Sequence, residues 1–215
     1  AKPGPVAKLL PSAHAVEREF AVMKGLDGTD VPVARMYVLC EDESVIGRAF
    51  YVMEFVQGRV LWDQSLPGMS NGERHAIYDE MNRVIAALHT VKFAEQGLAG
   101  YGKPGNYFER QIGRWSKQYT ASITKPIPEM DQLIAWLPAH IPAKARDESL
   151  VSIVHGDYRL DNLMFHPSEP RVLAVLDWEL STLGHPLADF SYHCMAWHIP
   201  PGAFRGIGGL DVAAL

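Results

Sequence analysis

The chain's 215 residues are enough for one domain, or two small lobes, around a continuous core. Its composition, 47% hydrophobic and 21% charged, is that of a soluble globular protein. A formal net charge of -5, with Lys and Arg scattered rather than clustered, excludes a general nucleic-acid binder and a polybasic membrane-surface binder.

The first ten residues are rich in Pro and Gly and read as a loop. Ser12 is placed as an N-cap, and Val16, Phe20, Met23 and Leu26 then recur at helical spacing, with Gly28 as the stop. Two strands are expected next, over 35–40 (RMYVLC) and 49–56 (AFYVMEFV), joined as a hairpin through the polar stretch 41–44 and Gly47. Gly58 closes the second strand and the composition changes there, so a boundary divides 1–57 from 58–215. From Ser70 to Leu88, the residues Ile77, Met81, Val84, Ile85 and Leu88 trace one helical face. A Gly-rich loop over 97–105 leads to a helix from Tyr107 to about Tyr119, and a further helix over 130–137 is ended by Pro138. Short β-like runs at 152–154 and 172–176 bracket a dense polar loop, HGDYRLDN at 155–162, and a helix runs from Pro186 through Met195. A helix with strands followed by a mostly helical body is an α+β arrangement.

The polar loop is where chemistry is expected. Phosphoryl transfer needs a carboxylate to take the acceptor's proton and metal ions to offset charge on the phosphates. Asp157 and Asn162, five residues apart on one tight loop, can divide these tasks, the amide oxygen being a hard ligand that suits Mg²⁺. Asp177, at the end of the apolar run 172–176, can bring a second carboxylate from another strand. Asp and Asn also serve as ordinary turn formers; their combination with His155, Gly156 and the Asp177 segment weighs against that reading.

These residues carry a resemblance. HGDYRLDN resembles the HGDxxxxN loop of aminoglycoside phosphotransferases and related choline- and homoserine-type kinases, and LDWELSTLGHPLAD at 176–189 resembles the segment that follows it in that family. LLPSAHAVEREF at 9–20, with YVMEFVQGRV at 51–60, is similar to a subgroup, the phosphotransferase-like domains of acyl-CoA dehydrogenase family proteins. The resemblance implies a protein-kinase-like bilobal fold, with ATP and Mg²⁺ as cofactors and a small-molecule hydroxyl as acceptor. Within the subgroup that acceptor is a hydroxyacyl compound rather than an aminoglycoside, with fusion to, or association with, an acyl-CoA dehydrogenase. Carried over onto this chain, Asp157 is the catalytic base, and Asn162 and Asp177 are magnesium ligands. Glu54, Phe55 and Val56 form the interlobe hinge whose backbone meets adenine. Glu19 is the helix glutamate that pairs with a phosphate-binding basic residue, though a Glu beside Arg18 is also a common surface residue. Asp189 braces the catalytic loop with His155 as structural support, and Glu179 is a candidate second-metal contact. The family's glycine-rich loop and basic strand should precede Ser12 and are not in this chain, so the N-terminal lobe is expected to be incomplete; Lys2 and Lys8 lie in the Pro/Gly loop and are not assigned that role.

Two other readings are kept. A nucleotide-binding pseudokinase would regulate a partner or fused domain. A metal-dependent hydrolase is invited by His166, His185, His193 and His198, whose spacings match no HxxxH or HExxH pair. Trp115, Trp136, Trp178 and Trp197 are expected in core or lobe packing. Cys40 and Cys194 form no CxxC pair, no apolar stretch reaches the ~18 residues of a membrane span, and no signal-peptide pattern opens the chain, so a cytoplasmic setting is expected.

Overall fold

A computed structural model describes residues 15–147, 149–202 and 206–211. The Pro/Gly loop and the Ser12 cap lie outside the described residues. Helix α1 (Val16–Leu26) buries Val22, Met23 and Leu26, and its first turn begins at Ala15 without a side-chain cap. Strands β1 (Met36–Cys40) and β2 (Phe50–Met53) pair antiparallel, with Met36 opposite Met53 and Val38 opposite Val52 around an irregularity between them. The connecting turn is built as its residue types predict: the Asp42 carboxylate accepts the Ser44 N–H at 2.9 Å, and Gly47 takes φ +89°.

The second strand is shorter than its composition predicts. It ends at Met53, Glu54 N–H still reaches Arg35 O at 2.8 Å, and Phe55 then stands 91% exposed. Gly58 is not only a terminator. A Cβ there would lie 2.4 Å from Phe165 O, because the next strand, β3 (Arg59–Val60), crosses close against β5 (Leu163–Phe165). With β6 (Val172–Val175) these make a sheet of order β3-β5-β6, while β4 (Ser152–Val154) pairs with β7 (Thr182–Gly184). The runs β3, β5 and β7, of two or three residues each, are too short to show a period of two in the sequence.

Helix α2 (Asn71–Thr90) opens on a reciprocal capping box between Ser70 and Glu73 and buries the expected stripe, Ile77, Met81, Val84, Ile85 and Leu88. Helix α3 (Tyr107–Ser122) and helix α4 (Pro128–Trp136) follow, and Pro138 sits inside a 3-10 turn rather than ending the structure outright. Helix α5 (Pro186–Met195) has the expected bounds; the His185 ring nitrogen caps it by accepting the Leu187 N–H at 3.2 Å. One apolar core joins these parts: Val22 and Leu26 of α1, Met81 and Leu88 of α2, Ile153 of β4, Phe165 of β5 and Trp178 belong to it. Of the four tryptophans expected in packing, only Trp178 is buried; Trp115, Trp136 and Trp197 are 48%, 53% and 44% exposed because they sit on helices whose outward faces have no covering layer among the described residues.

Candidate active site

Strand β4 is buried throughout and delivers the chain into His155 and Gly156. Gly156 has φ +86°, and a Cβ would meet Leu180 O at 2.9 Å, so both conformation and space require glycine. Asp189, on the first turn of α5, is 1% exposed and holds this corner. Its Oδ2 accepts the His155 N–H at 2.6 Å, its Oδ1 accepts the Gly156 N–H at 2.8 Å, and His89 Nε2 of α2 lies 3.0 Å from Oδ2. A buried carboxylate is tolerable only with such partners. His89 is a brace that the sequence reading missed.

His155 is fully buried, and burial, the largest influence, pushes its pKa down toward the neutral ring. The Asp157 N–H donates to its Nδ1 at 3.2 Å, which leaves Nε2 carrying the proton that goes to Leu176 O at 2.8 Å. Leu176 N–H in turn donates to Asn162 O at 2.8 Å. The loops bearing Asp157 and Asn162 on one side and Asp177 on the other are therefore stitched together through Leu176.

Asn162 lies in a 3-10 turn, and its Nδ2 donates to Asp157 O at 2.8 Å and to Asp157 Oδ2 at 3.0 Å. That leaves its Oδ1 turned away, accepting no hydrogen bond from the described residues. Asp177 follows β6 with φ 64° and ψ 62°, a left-handed conformation that costs a non-glycine roughly 1–2 kcal/mol. Its side chain is exposed and takes no hydrogen bond from the described residues. Asp157 is approached from two further sides. Arg159 Nε stands 3.3 Å from Oδ1, and the Tyr192 hydroxyl of α5 hydrogen-bonds the carboxylate. Burial, then that bond, pushes the Tyr192 hydroxyl up to about 12. Tyr192 also escaped the sequence reading, since nothing local marks a tyrosine on α5 as a partner of a loop 35 residues earlier.

Glu19 faces the same region from α1. Its Oε2 accepts the Tyr51 hydroxyl of β2 at 3.1 Å; burial, Glu19 and, less strongly, Asp177 push that hydroxyl up to about 12. Glu54, Phe55 and Val56 stand just beyond β2. A cavity of about 450 Å³ opens beside Gly156 and Tyr192, walled by Tyr107, Phe108, Trp115 and Arg114. Of the four scattered histidines, His185 Nε2 is 3.0 Å from Lys144 O, His193 is buried against Tyr158, His166 Nδ1 accepts the Ser168 N–H at 3.3 Å, and His198 lines the cavity. Among the described residues no group of three or more His, Cys, Asp or Glu side chains could hold a metal. Magnesium in phosphoryl-transfer sites needs only one or two carboxylates, the rest coming from phosphates and water. The free Oδ1 of Asn162 and the exposed carboxylate of Asp177 fit that donor set.

A family model described as the phosphotransferase enzyme family matches residues 6–210. The chain belongs to that family. Relatives of the chain include mouse (Mus musculus) acyl-CoA dehydrogenase family member 10, 49% identical over 213 residues, and the probable acyl-CoA dehydrogenase IBR3 of Arabidopsis thaliana, 48% identical over 196. The chain is covered to 98% and 89% in these matches but spans only 20% and 24% of those proteins. A crystal structure described as a "putative aminoglycoside phosphotransferase" from Ralstonia eutropha JMP134 is 74% identical, with a TM-score of 0.87 over 95% of this chain and 61% of that one. The aminoglycoside-3'-phosphotransferase of type VIII superposes with a TM-score of 0.64 over 92% of this chain and 69% of that one; at 19% identity it shows the fold. The fold is thus the α+β, kinase-like one of this family, with the N-terminal lobe present in part. Among the described residues no helix is long and apolar enough to cross a membrane.

Proposed function

We propose that this chain is the catalytic part of an ATP- and Mg²⁺-dependent phosphotransferase that moves the γ-phosphoryl group onto a hydroxyl of a small molecule. The observation that carries it is the stitched pair of loops offering Asp157, Asn162 Oδ1 and Asp177 from one braced corner. Asp157 takes the proton of the acceptor hydroxyl, whose oxygen bonds to the γ-phosphorus as the bond to the β–γ bridging oxygen breaks and ADP leaves. Asn162 Oδ1 and the Asp177 carboxylate would hold Mg²⁺, which supplies positive charge against the phosphate oxygens. Asn162 Nδ2, Arg159 and Tyr192 aim the Asp157 carboxylate, while His155 and Asp189 keep its loop in place. Residues 1–57 belong to the nucleotide lobe, with backbone of Glu54, Phe55 and Val56 meeting adenine and Glu19 serving the phosphates; residues 58–215 form the catalytic lobe. The separate β1-β2 sheet and the pairing of β3 with β5 support a boundary near Gly58.

The cavity beside Gly156 supports an acceptor with an apolar body and an anionic end. Its walls are aromatic rings with Arg114, and the one carboxylate lining it, Asp189, is already spent on backbone N–H groups. A polycationic aminoglycoside finds no complementary charge there. A hydroxyacyl compound does, and the names of the relatives support action joined to, or beside, an acyl-CoA dehydrogenase. The test is ATP turnover by the full-length protein against hydroxyacyl compounds and aminoglycosides. Asp157→Ala is expected to lower transfer ~10²–10⁴-fold, and undiminished transfer in that variant would remove the mechanism.

A further inference from the structure

The Gly-rich loop over 97–105 and the arginine beside Glu19 have no part in the chemistry just described, yet they meet. Arg18 leaves α1 and donates from Nη1 to Tyr101 O at 3.0 Å and from Nη2 to Ser181 O at 3.1 Å, with its guanidinium carbon 4.6 Å above the Tyr101 ring centroid. Tyr101 and Ser181 are 7% and 2% exposed. The Ser181 hydroxyl donates to Trp178 O at 2.5 Å, so the Tyr101 hydroxyl, 2.6 Å away, donates to Ser181 Oγ. The chain Tyr101 to Ser181 to Trp178 ends one residue after Asp177. The loop is held close on both sides: a Cβ on Gly25 of α1 would lie 2.8 Å from the Leu98 side chain, and one on Gly102 would lie 2.4 Å from Leu183 N.

We infer that Arg18, working with Tyr101, is a positioning residue that ties the helix bearing Glu19 to the segment following Asp177, so that the two acidic groups are held as one body. An arginine fork bridging two carbonyls over an aromatic face fixes direction as well as distance, which a lysine cannot do. Arg18 thus ties α1 to the metal-loop side of the site, while Glu19 on the same helix joins it to β2 through the Tyr51 hydroxyl.

This rests on the nucleotide and metal roles proposed above, and its test separates the two. In the full-length protein, the affinity for a non-hydrolysable ATP analogue, adenylyl imidodiphosphate, is measured with and without MgCl₂, alongside hydrogen exchange of the amides over 178–182. Arg18→Ala is expected to weaken the magnesium-dependent binding roughly tenfold and the metal-free binding less than about twofold, and to speed exchange over 178–182. Arg18→Lys falls between, and Arg18→Ala adds less than about twofold on a Glu19→Gln background, because both act through one arrangement. Equal weakening with and without magnesium, full additivity with Glu19→Gln, or unchanged exchange would overturn the proposal. Should Arg18→Ala fail to fold, Tyr101→Phe keeps the ring and its packing and cuts only the link to Ser181. A magnesium-selective loss of about threefold is expected there, and none at all overturns it. Wild-type protein whose binding ignores magnesium would sink the phosphotransferase reading instead, and the exchange measurement would still judge the tie.

Discussion

The corner around His155 and the hairpin β1-β2 are built on opposite terms. In the corner, a buried carboxylate accepts two backbone N–H groups, and a neutral buried imidazole is held between Leu176 O and the Asp157 N–H, both side chains almost wholly out of solvent. In the hairpin, Val38 and Val52 face each other across the strands while 50% and 43% exposed, and Tyr37 is 59% exposed. A lone two-stranded sheet is marginal in water, and this one leans on α1 for support. The contrast teaches that the geometry of the chemistry is self-contained here, because its constraints are buried hydrogen bonds within the chain. The hairpin side, with its exposed strands, is open to adjustment.

Breaking the corner should therefore cost most. Asp189→Ala strands the His155 and Gly156 N–H groups in the interior, and a loss of about 3–5 kcal/mol in urea unfolding is expected, with transfer lost as well. A variant within 1 kcal/mol of wild type would show that the corner is not the keystone described. Gly156→Ala is the next test. Forcing a side chain into φ +86° and against Leu180 O should lower stability by about 1–3 kcal/mol, read as a lower melting temperature.

Acid sharpens the comparison. His155 and His193 both have pKa values lowered by burial, so the unfolded chain binds protons that the native chain refuses. Stability is then fully present above the unfolded histidine pKa of about 6.5 and is lost as pH falls from there toward the depressed native values. The urea midpoint should fall between pH 7 and pH 5, and His155→Gln should flatten that slope. An identical slope in the variant would assign the effect to other groups. At the hairpin end the smallest effect is expected: Phe55→Ser, at a site 91% exposed, should leave the unfolding free energy within about 0.5 kcal/mol.

The order of these effects follows how deeply each residue is enclosed, and enclosure was only partly legible in the sequence. The stripe from Ile77 to Leu88 and the helix Pro186–Met195 were legible, because periodicity and a proline at the first turn are local signals. That Asp157 and Asn162 share one tight loop, with Asp177 after the next apolar run, was legible as a motif. Their actual connection through Leu176 was not, since it is made by backbone groups that every residue carries. Trp115, Trp136 and Trp197 were misread for the converse reason: residue type predicts apolar area, but whether a helix face is covered depends on what packs over it.

Local pattern and chemistry by themselves determined that this chain has an amphipathic α2, a tight polar loop with a carboxylate and an amide five residues apart, and a second carboxylate at a strand end. Tertiary structure alone decided the partners: Tyr51 on Glu19, Tyr192 on Asp157, His89 on Asp189, Arg18 on Ser181, and β3 beside β5. Such pairs lie 32 to 163 residues apart, and at that range nothing in the spacing of a sequence records which side chains will share a hydrogen bond. Only the packing of one core brings them within reach.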